Sequence, residues 1–107
     1  GKPLVYKRIL GFLSLSAYMY SNNSLKQNNL EAARKYVEIY RLVDPENSEH
    51  RYLAAVIAAR RHEKDEVIKA LSAAIKLGFK DKARLLADPD FTAYQSEDGF
   101  KDLINRL

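Results

Sequence analysis

The chain has 107 residues, 18 Lys and Arg against 14 Asp and Glu, and no Cys. That length suits one domain around a single core, and the missing thiols exclude disulfides, thiolate nucleophiles and sulfur-ligated metals while leaving the compartment, cytoplasmic or exported, open. Only four Gly and three Pro interrupt a sequence rich in Ala, Leu, Lys, Arg and Glu, so the expected fold is all-α.

The net charge of +4 is unevenly placed. Residues 1–30 hold Lys2, Lys7, Arg8 and Lys26 and no acid, whereas later segments are nearly balanced. A nucleic-acid surface calls for Lys and Arg gathered on one face with aromatics between them. The later charges read as solvated helix faces, so no nucleic-acid partner is expected. Gly1 in place of an initiator Met reads as a scar of tag removal and the chain as an excised fragment. Lys7-Arg8 followed by ILGFLSLSAYMY has the charged and apolar regions of a secretory signal, but no clear small-x-small cleavage site follows it. The run is also too short and too rich in Ser and Tyr for a membrane span, which needs roughly 20 apolar residues. A helix over 14–27 fits better, with Ala17, Ser21 and Ser24 as its small packing residues.

The second helix is expected over about 30–43, where Leu30, Ala33, Val37, Tyr40 and Val43 form one apolar stripe. Asn29 is placed to cap it and Glu31 suits its positive end. Pro45 stops it, and Ser48 is the expected cap of a third helix reaching about Arg61. There Ala54, Ala55, Ala58 and Ala59 are small enough to let a neighbour approach, with Leu53, Val56 and Ile57 around them. Residues 62–64 make a turn, Asp65 is the expected cap of the fourth helix, and Leu77-Gly78 ends it through a left-handed glycine. The remainder reads as a short helix, a break at Asp88-Pro89 and a last helix from about Glu97. Leu85, Leu86, Phe91, Tyr94, Phe100, Leu103 and Leu107 would cover the open end of the fourth helix. Alternatively, Phe91 and Tyr94 fold back into the concave side of the stack.

Stepping 34 residues from Ala33, Val37, Tyr40 and Val43 lands on Val67, Leu71, Ala74 and Leu77. A period of that length suggests stacked helix pairs. The stretch KQNNLEAARKYVEIYRLVDPEN at 26–47 resembles the second half of a tetratricopeptide repeat, with Gln27-Asn28-Asn29 at the turn, Ala33 at the crossing and Asp44-Pro45 closing the unit. Gly78-Phe79, Asp88-Pro89-Asp90-Phe91 and Gly99-Phe100 through Leu103 are similar to the segment that closes some bacterial arrays of such repeats. The resemblance implies a tetratricopeptide-like α-α superhelix of two helical hairpins plus C-terminal capping helices, all one domain. Repeat 1 spans 14–47, repeat 2 spans 48–81 and the cap spans 82–107. Residues 1–13 would be a helical extension or the remnant of a preceding repeat, since Tyr6 and Ile9 stand one step before Tyr40 and Val43.

No catalytic constellation can be assembled. His50 and His62 lie at a helix start and a turn without metal-ligand spacing and read as solvated surface residues. The glycines are isolated, so no phosphate loop exists. Asp88, Asp90, Glu97 and Asp98 lack the order of a calcium loop and suit capping and turns. No cofactor or metal is therefore expected. In stacked hairpins the first helix of each pair lines the concave face. It selects Tyr18, Asn22, Leu25 and Lys26 from the first hairpin and, one 34-residue step on, Tyr52, Val56, Ala59 and Arg60 from the second. Two tyrosines beside two cations suit an extended peptide carrying an acidic or C-terminal carboxylate. The expected function is a non-enzymatic protein- or peptide-binding scaffold. Its rival is a structural capping or self-association role, as a homo-oligomer or within a longer helical-repeat protein.

Overall fold

The computed structural model describes residues 2–107, so the reading of Gly1 lies outside the described residues. Among these residues every regular element is helical: α1 Lys2–Lys26, α2 Leu30–Val43, α3 Glu49–Arg60, α4 Lys64–Lys76, α5 Lys82–Ala87, a 3-10 segment Pro89–Tyr94 and α6 Asp98–Asn105. The fold is all-α.

The first helix has no boundary at residue 14, and residues 2–13 run on into it as one helix of 25 residues, about 37 Å long. Nothing in that stretch stops a helix. Pro3 sits in the first turn, where its missing N–H costs nothing, and Gly11 has open space beside it. Pairings in reversed order make α1 and α2 antiparallel: Ser14 with Asp44, Tyr18 with Tyr40, Tyr20 with Tyr36.

Three helices end in one way. After α1 the Asn29 N–H bonds the Ser24 carbonyl at 2.8 Å and the Asn28 N–H bonds Leu25 at 3.0 Å. The same pair of bonds recurs after α3, from Glu63 to Ala58 and His62 to Ala59, and after α4, from Phe79 to Ala74 and Gly78 to Ile75. Each is a Schellman closure, and the residue at its left-handed position is Asn28 at φ 53°, His62 at φ 58° or Gly78 at φ 104°. Asn tolerates that conformation and Gly prefers it, so His62 is the costly member. The helices that follow the first two turns start at 30 and 64, and α6 starts a further 34 residues on, at 98. The last pair therefore keeps the frame in shortened form, its first helix broken at Pro89.

Two caps differ from expectation. Ser48 is already helical in backbone and makes no side-chain cap bond; Asn47 Oδ1 instead accepts from the Glu49 N–H at 2.9 Å. Asp65 lies within the first turn of α4, where with Glu66 it meets the positive end of the helix without capping it. Asn29 does cap α2, accepting from the Ala32 N–H at 3.1 Å.

The core runs through all three pairs. Ala33 and Val37 of α2, Ala55 and Ile57 of α3, Val67 and Leu71 of α4, and Leu85, Phe91, Phe100 and Leu103 of the tail are buried. So is His50, contrary to its expected place on the surface, while His62 is exposed. The start of α3 is pressed against α2, where the His50 ring meets Tyr40 edge-on at 5.9 Å. Its Nε2 lies 2.9 Å from the Pro45 carbonyl, which can only accept, so Nε2 carries the proton and the buried Nδ1 has no partner. Burial holds the imidazole below its ordinary pKa, against the opposing pull of the Pro45 carbonyl. The folded state thus takes up its proton at lower pH than the unfolded chain, whose value is about 6.5. Stability from this group is present above that pH and is lost as pH falls through the window beneath it. The expected outcome is that the melting temperature drops between pH 7.5 and pH 5 by more in the wild type than in His50→Phe. Equal drops would mean that His50 carries no part of the acid sensitivity.

A concave face closed by the chain's own tail

Of the eight residues singled out on the first helices of the two hairpins, six converge. Asn22, Leu25 and Lys26 of α1 and Tyr52, Val56 and Arg60 of α3 line one cleft of about 200 Å³. Tyr18, one turn back along α1, lines a second cleft of about 390 Å³ with Ser14, Leu15 and Tyr40. The opposite wall of the first cleft belongs to the tail: Arg84 of α5, Asp88 at the break and Asp90 of the 3-10 segment.

Tyr52 is the centre of this contact and is only 1% exposed. Its ring is stacked on Phe79 at 5.0 Å, met edge-on by Phe91 at 5.6 Å and covered by the Arg84 guanidinium at 3.9 Å from the ring centre. Its hydroxyl donates to Asp88 Oδ2 at 2.7 Å. Burial, then the hydrogen bond to Asp88 and that carboxylate's charge, push the phenol far above its ordinary pKa. Arg84 is held by a two-pronged pair with Glu49 at 2.7 and 2.8 Å, which keeps its charge fixed above the ring.

The second anchor is Arg60. Its Nε and Nη2 donate to the two oxygens of Asp90 at 3.0 and 3.3 Å, and its Nη1 donates to the Leu25 carbonyl at the end of α1. One guanidinium therefore joins α1, α3 and the tail. Tyr94 completes the closure, its hydroxyl donating to the Ala59 carbonyl at 3.1 Å.

The groove expected along the second hairpin is therefore not open. Leu25, Tyr52, Val56 and Ala59 are buried and Arg60 is neutralised within the chain, because Asp88-Pro89-Asp90-Phe91 lies across them. Of the eight residues, Tyr18 and Lys26 are exposed and Asn22 is partly so. Tyr18 meets Tyr40 edge-on at 6.3 Å, and Asn22 donates to the Tyr18 carbonyl at 2.9 Å. Glu49, Arg84, Asp88 and Asp90 belong to the site although sequence reasoning left them out. Asp88 was legible only as a cap, and it is one, since its Oδ1 accepts from the Asp90 N–H at 3.0 Å while Oδ2 takes the phenol.

Among the described residues no cluster of three or more His, Asp or Glu is arranged to hold a metal ion, and no helix is long and apolar enough to cross a membrane. Comparison with protein-family models, with curated proteins and with solved structures finds no match.

Removing one partner of the buried phenol costs more than removing the phenol's own oxygen. Asp88→Ala strands the Tyr52 hydroxyl and should lower stability by about 1 to 3 kcal/mol, whereas Tyr52→Phe should cost less because Asp88 keeps its bond to the Asp90 amide. Urea unfolding of the two variants checks the order.

Proposed function

We propose that the chain is a non-enzymatic, tetratricopeptide-like protein-binding module that takes an acidic, aromatic-bearing peptide segment along the open half of its concave face. The observation that carries this reading is the seat of Asp88-Pro89-Asp90-Phe91 on α3. There a tyrosine hydroxyl meets one aspartate at 2.7 Å, an arginine meets the next at 3.0 Å, and a phenylalanine packs against the tyrosine ring. These contacts within the chain support the reading that a like face would take a segment of the same chemistry.

The first hairpin carries the counterpart of each anchor 34 residues earlier, Tyr18 for Tyr52 and Lys26 for Arg60, and both stay exposed, Lys26 in the cleft whose opposite wall is the tail. Its field favours an anion. The four cations Lys2, Lys7, Arg8 and Lys26 match the net charge of +4, and α1 contains no acid. Asp44, at the base of the neighbouring cleft, is engaged by Ser14 at 2.8 Å and Asn47 at 3.1 Å. Lys7 lies in line with Gly11, Ser14 and Tyr18 at intervals of three and four residues, which puts a second, separate cation on the same side of the helix. The peptide would lie with its carboxylates toward Lys26 and its aromatic side chain against Tyr18.

The test uses a labelled peptide of the sequence ADPDFTAY, copied from residues 87–94, added to the whole chain. Saturable binding is expected that weakens about tenfold or more with Lys26→Glu, falls with salt and is absent for a peptide with both aspartates changed to alanine. Binding indifferent to Lys26→Glu, or none at millimolar peptide, would overturn the reading.

A further inference from the structure

The stack has two ends, and they are finished differently. At the C-terminal end the shortened third pair covers α3 and α4. At the other end none of the described residues covers the outer side of α1 and α2, and the large exposed side chains there are apolar. Tyr20 of α1 stacks on Tyr36 of α2 at 5.2 Å on the side away from α3, whereas Tyr18 meets Tyr40, which in turn touches His50 of α3. Tyr6, Ile9 and Leu13 continue the line of Tyr20 at intervals of three, four and seven, and Ile39 follows Tyr36 by one turn. Tyr6 is 64%, Ile9 53%, Tyr20 56% and Ile39 45% exposed. Together these side chains leave roughly 500 Å² of apolar surface in water, at the level of the largest patch on a typical monomer.

We propose that this face is a dimer interface, occupied by the same face of a second copy related by two-fold rotation. Its partner must present helices with a matching apolar surface. Among the described residues the opposite end of the stack has no comparable patch, Leu86 being its one exposed large apolar side chain, so a head-to-tail contact would not bury this one. A two-fold contact buries it against itself. The charges fit that symmetry. Glu31 and Lys35 border Ile39 in the same hollow of α2, and rotation can set the Glu31 of one copy against the Lys35 of the other. Lys7, Arg8 and Lys26 lie near the line of Tyr18, within a quarter turn of it on the helix, so three of the four surplus cations point off the interface, while Lys2, five turns before Tyr20, stands at its end. The roughly 500 Å² apolar centre with a polar rim approaches the ~800 Å² per partner of a standard stable interface.

Light scattering on the whole chain tests this with three proteins: wild type, Ile9→Glu with Ile39→Glu, and Leu15→Glu. Leu15 is as exposed as Ile9 but lies on the Tyr18 side of α1. The expected result is a mass twice the 12.2 kDa of one chain for wild type and Leu15→Glu, with a dissociation constant raised at least about 100-fold in the double variant. Circular dichroism confirms that each is folded. A wild type that stays monomeric at roughly 500 µM, where a ~100 µM complex would be largely formed, overturns the proposal. So does an association that Leu15→Glu disrupts equally, or monomeric wild type that co-floats with anionic vesicles. Peptide binding through Lys26 uses another face and stands or falls separately.

Discussion

A tyrosine hydroxyl that leaves water must keep a hydrogen bond, and in this chain that requirement fixes the tail. Tyr52 carries its ring into the core, where Phe79 and Phe91 enclose it, and its hydroxyl is left with Asp88 as partner. Asp88 can serve because Pro89 follows it. Proline denies the preceding residue a helical backbone, so Asp88 stands extended at ψ 116° with its carboxylate free to bridge. From that point the chain is committed: Asp90 falls to Arg60, Phe91 to the ring of Tyr52 and Tyr94 to the Ala59 carbonyl. With the tail in place, Asp88 is what keeps the Tyr52 hydroxyl from being a buried donor without an acceptor.

The closed half and the open half of the concave face follow from one frame. Helices that start at 30, 64 and 98 bring each first helix beside the next, so the residues that meet a neighbour on α3 have counterparts on α1 one step back. On α3 the neighbour is the shortened third pair. On α1 the equivalent neighbour is α3, which is joined to it at the Leu25 carbonyl through Arg60 and leaves the outer length of the helix free. The same imbalance explains why exposed apolar side chains gather on α1. A helix that is apolar around most of its circumference is normally enclosed, and α2 encloses only one side of this one.

Much of this was readable in advance. The stripe of α2, the break at Asp88-Pro89 and the left-handed Gly78 all depend on local chemistry, and each lies where it was expected. Six of the eight residues assigned to one face by helical geometry line one cleft, because that geometry does not depend on the tertiary structure. What the sequence did not disclose was set by neighbours. His50 is polar and sits at a helix start, a place that favours solvent, and only the approach of Tyr40 and the Pro45 carbonyl encloses it. Asn47 and Ser48 are equally good caps by composition, and the backbone of Ser48 decided between them by turning helical. The filling of the groove could be raised as an alternative from Phe91 and Tyr94, but the ion pair of Arg60 with Asp90 spans 30 residues and has no local signature.

Amide hydrogen exchange, followed peptide by peptide in the native state, tests most directly whether the tail is part of the folded core. If Tyr52 and Arg60 hold it as described, the amides of the 3-10 segment and α6 exchange only when α3 does, with the same opening free energy. Exchange of that segment at rates typical of an unfolded chain, while α3 stays protected, would contradict a concave face closed by its own tail.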